Sequence, residues 1–456
     1  MTIPLWSRDE LTAVLELDEA AAVDVDGVSI DSRTLRPGDL FVALSGHADV
    51  RYRGAGGSGR DGHDFVADAA ERGAAAALVS RRTDVAISEL LVDDTFDGLW
   101  NLARAARARF RRPVFAITGS SGKTTAKAML AAALPGCHAS EGSFNNHIGV
   151  PLSLARLRTT AVAGVFEVGM NSPGEIAPLS RLIKPDVALV LNVLGVHLEG
   201  LGSLEAIRRE KLSIAEGLDG RGMLVVPDTL DMHDLPGDAT RITFGRSETA
   251  DVRLADAGRG CRVLLPGGQV LELELAVDGP HRRLTATAVL ACLYAAGMDP
   301  ACALGPWRSL EPPAGRGGEL QIAGITIVDD SYNANPESVR LALASLEERS
   351  GRRRFALLGD MLELGSEELA LHAGLAEACS GLDGVFCVGE RMRALHERLP
   401  PGLRAGWWPD CDALDLDAVA GYLNSGDLLL VKASNRLFWK AGTVNRIAVA
   451  LATKVD

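Results

Sequence analysis

Thr118-Gly119-Ser120-Ser121-Gly122-Lys123-Thr124-Thr125 joins an apolar run, Val114 to Ile117, to an Ala-, Met- and Leu-rich stretch that predicts a helix over 125–134. A glycine turn between a strand and a helix aims backbone N–H groups inward, and the helix N-terminus adds partial positive charge. Gly119, Ser120, Ser121, Gly122 and Thr125 would line such a cradle. Lys123 can then reach the outer phosphates, and the Thr124 hydroxyl can join a magnesium shell. Ile117 stands where the full phosphate-loop spacing puts its first glycine. The stretch therefore points away from the commonest ATPases and towards a subfamily.

Three more residues could share that site. Glu167 ends the apolar run in 161–171, and His197 follows another apolar run in 186–200. In open parallel sheets, ligands gather at the carboxyl ends of strands, so both can converge on a bound triphosphate. A carboxylate there suits Mg²⁺, which prefers oxygen ligands, and a neutral imidazole can serve a second metal or order its water. Each also has a plainer reading, Glu167 as a charge at a sheet edge and His197 as a structural histidine. The third residue is Lys211. In 203–218, Leu204, Ile207, Ile214 and Leu218 keep the spacing of a buried helical stripe. Lys211 falls on that stripe, while Glu205, Arg208, Arg209 and Glu216 take the outer positions. Either Lys211 snorkels to the rim, or it stays inside with a lowered pKa. A neutral amine there can combine with CO₂ to give a carbamate able to bridge two metals.

Elements must bring these residues together. About a hundred residues precede the glycine turn, with strand-like runs at Leu40–Leu44 and Ala75–Val79 and a Gly-rich, basic stretch, "ADVRYRGAGGSGR", that reads as a surface loop. "SLEPPAGRGG" (309–318) breaks the pattern a second time. Beyond it, strands at Ile325–Val328, Phe355–Leu358, Val385–Val388 and Leu428–Val431 alternate with helices. The fold class is α/β, with three units over 1–112, 113–310 and 311–456 and mostly parallel sheets. The formal net charge of -13 argues against general nucleic-acid binding. The basic run from Arg104 to Arg112 reads as a solvated helix face. Seven cysteines without CxxC or metal-type spacing fit a reducing compartment. No signal pattern opens the chain and no apolar run reaches the ~18 residues that span a bilayer, so a cytoplasmic location without membrane insertion is expected.

Across nearly its whole length the sequence resembles the Mur ligase family, most closely the branch that adds D-alanyl-D-alanine to UDP-N-acetylmuramoyl-tripeptide. The likeness rests on "DSRTLRPGDLFVAL" and "DGHDFVADAAERGAAAALV", then "TGSSGKTT", "FNNHIGVPLSL", "EVGMNSPGEI" and "HLEGLGSLEAI", and finally "PPAGRGGEL", "IVDDSYNANPESVRLAL" and "LLGDMLELG". It implies ATP- and Mg²⁺-dependent amide formation through an acyl phosphate, by a monomer acting on small molecules in peptidoglycan precursor synthesis. The three units become a UDP-sugar-binding, an ATP-binding and a nucleotide- and amine-binding domain. The resemblance further implies that Lys123 cradles phosphates and that Thr124 and Glu167 bind magnesium. His197 and carbamylated Lys211 would serve a second metal, and Arg316 would reach the phosphates on domain closure. His281, Asp330 and Asn335 would line the nucleotide, Ser32 and Arg33 the uridine diphosphate, and Asn145, Asn146 and Lys432 the substrates.

Two stretches depart from that pattern. Where the family has "GxHNxxNA", this chain reads "GPHRRLTATAVLA", so Arg282 and Thr285 replace two asparagines. Arginine cannot accept a hydrogen bond, so recognition of the adenine amino group must change. The family's "KGSR" becomes "KASNRLFWK", which keeps Lys432 but alters the loop on the amine side. A joined carboxylate and amine of other identity, as in secondary metabolism, is the alternative these changes raise. The Gly-rich insertion after His47 is also unusual for the family.

Overall fold

Three sheets, each from its own stretch of chain, carry the fold. The computed structural model describes residues 3–17, 22–45, 59–195, 201–233, 239–257, 260–349 and 351–454. Most of the Gly-rich loop expected after His47, and His197 itself, lie outside the described residues.

The first sheet holds β1 (Gly27–Ser29), β2 (Asp39–Val42), β3 (Ala76–Val79) and β4 (Ser88–Leu91), all parallel and in chain order. The helix Thr95–Arg109 follows, its first turn capped by Asp94, whose carboxylate accepts from the amides of Phe96 and Asp97. Its basic end is less solvated than expected. Arg107 donates to the carbonyls of Ile183 and Lys184, which close the helix Ile176–Ile183, and Arg109 pairs with Glu10 while lying over the Trp6 ring. A cation beside exposed helix carbonyls is held there by the helix dipole.

The second sheet contains β5 (Val114–Thr118), β6 (His138–Ala139), β7 (Gly164–Glu167), β8 (Val187–Val190), β9 (Met223–Pro227), β10 (Thr240–Gly245), β11 (Val252–Ala257), β12 (Gly260–Leu264) and β13 (Val270–Leu273). Their order is β13-β12-β11-β10-β9-β8-β5-β7-β6. Pairing is parallel from β6 to β11 and antiparallel from β11 to β13. β5 lies inside the sheet between β8 and β7 and is wholly buried, as a parallel strand covered on both faces must be. The helix Pro280–Ala295 covers one face, and Trp307 anchors that layer by donating its indole N–H to Met129 O at 2.8 Å. The antiparallel hairpin on the far edge has alternating burial and no counterpart in the expected parallel pattern.

In the third sheet, β14 (Gly318–Ile322), β15 (Ile325–Asp329), β16 (Arg354–Gly359), β17 (Gly384–Val388), β18 (Arg404–Trp408) and β19 (Leu428–Lys432) take the order β14-β15-β19-β16-β17-β18. Only the β14–β15 pair is antiparallel. The four strands expected here all form, each a residue or two longer than its apolar run.

The stripe over 203–218 departs from expectation. A helix over Leu204–Leu212 gives way to a 3₁₀ turn over Ser213–Gly217. Leu204, in the first turn, is 53% exposed, whereas Arg208 is buried. Arg208 turns inward because Glu205 and the Asp231 carbonyl accept from its guanidinium. Lys211 does not snorkel: it is 2% exposed.

Candidate active site

β5 runs straight into the glycine turn. Gly119 must be glycine because a Cβ would meet Leu191 Cβ at 2.8 Å, and Gly122 sits at φ +80°. The helix Lys123–Ala133 then begins with no side-chain cap, so its first N–H groups are left for a ligand. Asn192, just past β8, braces the turn: its Oδ1 accepts from Ser121 N at 2.9 Å and its carbonyl from Ser120 N. Sequence reasoning did not single out Asn192; an asparagine trailing an apolar strand carries no signal of a contact 71 residues away.

The structure brings Thr124 and Glu167 together. The Thr124 hydroxyl donates to Glu167 Oε2 at 2.8 Å, and Asn145 Nδ2 donates to Oε1 at 2.7 Å. Glu167 is 1% exposed, so its carboxylate must be paired to remain in place. Lys127 supplies a buried ammonium 3.6 Å from it, which also donates to Ser140 O at 2.7 Å. Lys127 too was missed, since a lysine four positions into a helix reads as a polar face. Lys123 folds back onto Gly119 O at 2.8 Å, and burial, reinforced by Arg316 and opposed by Glu167, lowers its pKa.

These groups open into a cavity of about 680 Å³ between the second and third sheets. From the second come Ser120 to Thr125, Asn145, Asn146, Glu167, His281 and Arg282; from the third come Arg316, Asp330, Asn335 and Lys432. Arg316 lies over the Tyr332 ring at 4.1 Å and has no carboxylate partner among the described residues. Lys432 donates to Asp330 Oδ2 at 2.6 Å and to Asn333 O at 3.0 Å. Asn335 caps the helix Pro336–Glu347, accepting from Ser338 N. Asn146 likewise accepts from the amides of Ile148 and Gly149. The pKa of the half-buried His281 imidazole is pushed down to about 4 by desolvation and by the neighbouring Arg282, and its Nδ1 finds no partner among the described residues.

Besides Gly119 at the base of the turn, three expected residues among those described stand apart from the cavity wall. Lys211 is buried behind Met170, whose sulfur at 4.0 Å is its one hydrogen-bond partner among the described residues. Burial, with Lys123 adding repulsion, drives its pKa well down. Ser32 and Arg33 follow β1 in the first sheet, where Ser32 is buried and Arg33, mostly exposed, pairs with Asp31 at 2.7 Å. Among the described residues no group of three or more His, Cys, Asp or Glu could hold a metal ion. The Thr124–Glu167 pair fits Mg²⁺, being two oxygen donors at the mouth of the glycine turn.

A glycine turn with a magnesium-type oxygen pair, facing cations of the third sheet across one cavity, fits an ATP-dependent enzyme, and the proteins the chain matches put that enzyme in the ligase class. Three family models match the chain: Mur ligase family, catalytic domain, over 24–96; Mur ligase middle domain over 117–293; and Mur ligase, glutamate ligase domain over 315–435. The UDP-N-acetylmuramoyl-tripeptide–D-alanyl-D-alanine ligase of Escherichia coli is 34% identical over 85% of this chain and 86% of its own. The Bacillus subtilis enzyme of the same name is 33% identical over 90% of each. Among solved structures, MurF from Acinetobacter baumannii superposes with a TM-score of 0.83 at 27% identity, covering 98% of this chain and 100% of that one. The Thermotoga maritima MurF ligase in complex with ADP gives 0.78 at 28% identity over 94% and 98%. The chain belongs to the Mur ligase family, and its fold is the three-unit α/β fold of those enzymes.

Proposed function

We propose that this chain joins D-alanyl-D-alanine to UDP-N-acetylmuramoyl-tripeptide, forming ADP, phosphate and the amide. The observation that carries this reading is the Thr124–Glu167 oxygen pair at the mouth of the glycine turn, faced across one cavity by Arg316 and Asp330. In the reaction a substrate carboxylate oxygen attacks the γ-phosphorus and the bond to the β-phosphate oxygen breaks, releasing ADP. The amine then attacks the acyl carbon, gives up a proton, and phosphate leaves. Both first reactants are anions, so the decisive contribution is cations fixed where their charges meet. Lys123 and Arg316 provide that charge from the protein. Magnesium, when bound through Thr124 and Glu167, would supply the remainder. Asn145 keeps the Glu167 carboxylate oriented. Asp330, Asn335 and His281 border the nucleoside side, and Lys432 the amine side. Ser32 and Arg33 are assigned to the uridine diphosphate, with Asn146 beside Asn145 on the substrate.

Lys211, buried and with its pKa driven well down, is suited to add CO₂ and lose a proton to give a carbamate, and so to contribute an oxygen donor with His197 to a second metal. The units 1–112, 113–310 and 311–456 divide UDP-sugar, ATP and amine binding, and the chain acts as a monomer in the cytoplasm. No helix among the described residues is long and apolar enough to cross a membrane.

Mass-spectrometric product identification tests the assignment. Incubation with ATP, Mg²⁺, UDP-muramoyl-tripeptide and D-Ala-D-Ala is expected to yield ADP and the pentapeptide in equal amounts. A second reading, in which another carboxylate and amine are joined, is favoured by one observation: the altered loop forms a π-helical turn, Asn435–Trp439, that packs Trp439 on Tyr332. No turnover with the muramoyl pair, but amide formation with other pairs, would establish that reading instead.

A further inference from the structure

We propose that Arg282 is a positioning residue for Arg316: carried by the central unit, it grips the backbone entering the third unit and so aims Arg316 into the nucleotide cavity. The inference rests on the reading of Arg316 as the group that meets the phosphates.

Arg282 occupies a place that electrostatics disfavours. It is the third residue of the helix Pro280–Ala295, where the helix dipole repels a cation, and it is only 7% exposed. Desolvation lowers its pKa. A buried guanidinium at a helix N-terminus persists only if its donors are taken. Those of Nη2 are taken across the junction, where it donates to Arg316 O at 2.6 Å and to Gly317 O at 3.3 Å. Charge-assisted bonds to main-chain carbonyls fix the path of the backbone rather than a side chain.

The junction is shaped around this group. Gly317 lies at φ +80°, and a Cβ there would come within 2.7 Å of Arg282 Nη2. Its amide donates to Asp329 O at 2.6 Å, and the next residue begins β14, so the grip falls at the entry to the third sheet. Facing the cavity, the Arg316 side chain is bracketed by the Tyr332 ring at 4.1 Å and Ser143 Oγ at 3.5 Å. Tyr332 donates to the same Ser143 oxygen at 2.9 Å. Arg316 is thus held at its backbone by one unit and at its side chain by both, with no carboxylate among the described residues to occupy its charge.

The test is steady-state ligation kinetics on the full chain with Arg282→Gln, Arg282→Lys, Arg316→Ala and the Arg282→Gln/Arg316→Ala double variant. Removing Arg316 is expected to lower kcat/KM for ATP about a hundredfold, the scale of one lost charge-stabilising group. Arg282→Gln should lose about tenfold or more in the same parameter, with KM for the UDP-linked substrate unchanged. Lysine at 282 should recover part of that loss. The double variant should match Arg316→Ala within about twofold, because a residue acting only through another adds nothing once the other is gone. Gly317→Ala, which leaves Arg282 intact but presses on it, gives an independent check should Arg282→Gln fail to fold; it should show the same selective loss. Wild-type kinetics in Arg282→Gln or Gly317→Ala, or losses that multiply in the double variant, would overturn the proposal. Wild-type kinetics in Arg316→Ala would instead remove the underlying reading of Arg316.

Discussion

Glu167 concentrates the chemistry of the site in one side chain. Its two oxygens are shared between Thr124 and Asn145, with the Lys127 ammonium close behind. Glu167→Gln keeps the shape but removes the charge that would hold magnesium. ATP turnover should fall by about a hundredfold or more, and the Mg²⁺ concentration for half-maximal rate should rise. An unchanged Mg²⁺ titration would show that the metal is held elsewhere. Lys123→Ala should abolish ATP turnover, since the neighbouring ammoniums of Lys127 and Lys432 are already engaged by Glu167 and Asp330. For Lys211, burial and the nearby Lys123 favour the neutral amine, which is the form that combines with CO₂. Lys211→Ala should be inactive and partly restored by short carboxylates that fill the vacated space. Wild-type-like rates in that variant without any addition would remove the carbamate.

At the scale of elements, the glycine turn works because β5, β8 and the helix Lys123–Ala133 meet there, and Asn192 ties β8 to the turn. Asn192→Ala should raise KM for ATP several-fold while leaving KM for the other substrates as it was, because only the phosphate cradle loosens. Equal rises in all three would point to general unfolding instead. Much of this element was legible in the sequence. The strand, the turn and Glu167 at the end of β7 follow from apolar runs and glycine spacing. The order of strands, the Asn192 brace and the β11–β13 hairpin were not, because each depends on pairing between distant segments that local pattern does not encode. Leu204 and Arg208 reversed their expected places because the helix is short and a specific acceptor, the Asp231 carbonyl, outweighs periodicity at its first turn. Arg282 was legible as a departure from the family, but its use was not. Only the structure brings the carbonyls of Arg316 and Gly317 to it.

Across the whole molecule, the cavity is completed by two bodies, so catalysis requires them to stay or come together around the nucleotide. Solution scattering should show a more compact particle with ATP and both substrates than without them, and identical profiles would argue against closure. His281 couples the same region to pH. Its folded-state pKa of about 4 lies below the ordinary 6.5, so the unfolded chain takes up a proton first as pH falls. The stability it contributes is complete above pH 6.5 and declines between 6.5 and 4. Urea midpoints at pH 7 and pH 5 should therefore separate more in the wild type than in His281→Gln, and equal separations would exclude the effect. The central claim, that a carboxylate is activated as its acyl phosphate, is met most directly by isotope transfer. With ¹⁸O in the reacting carboxylate, the account expects one labelled oxygen to appear in inorganic phosphate as ADP forms. Label appearing in AMP, or unlabelled phosphate accompanying amide formation, would contradict it.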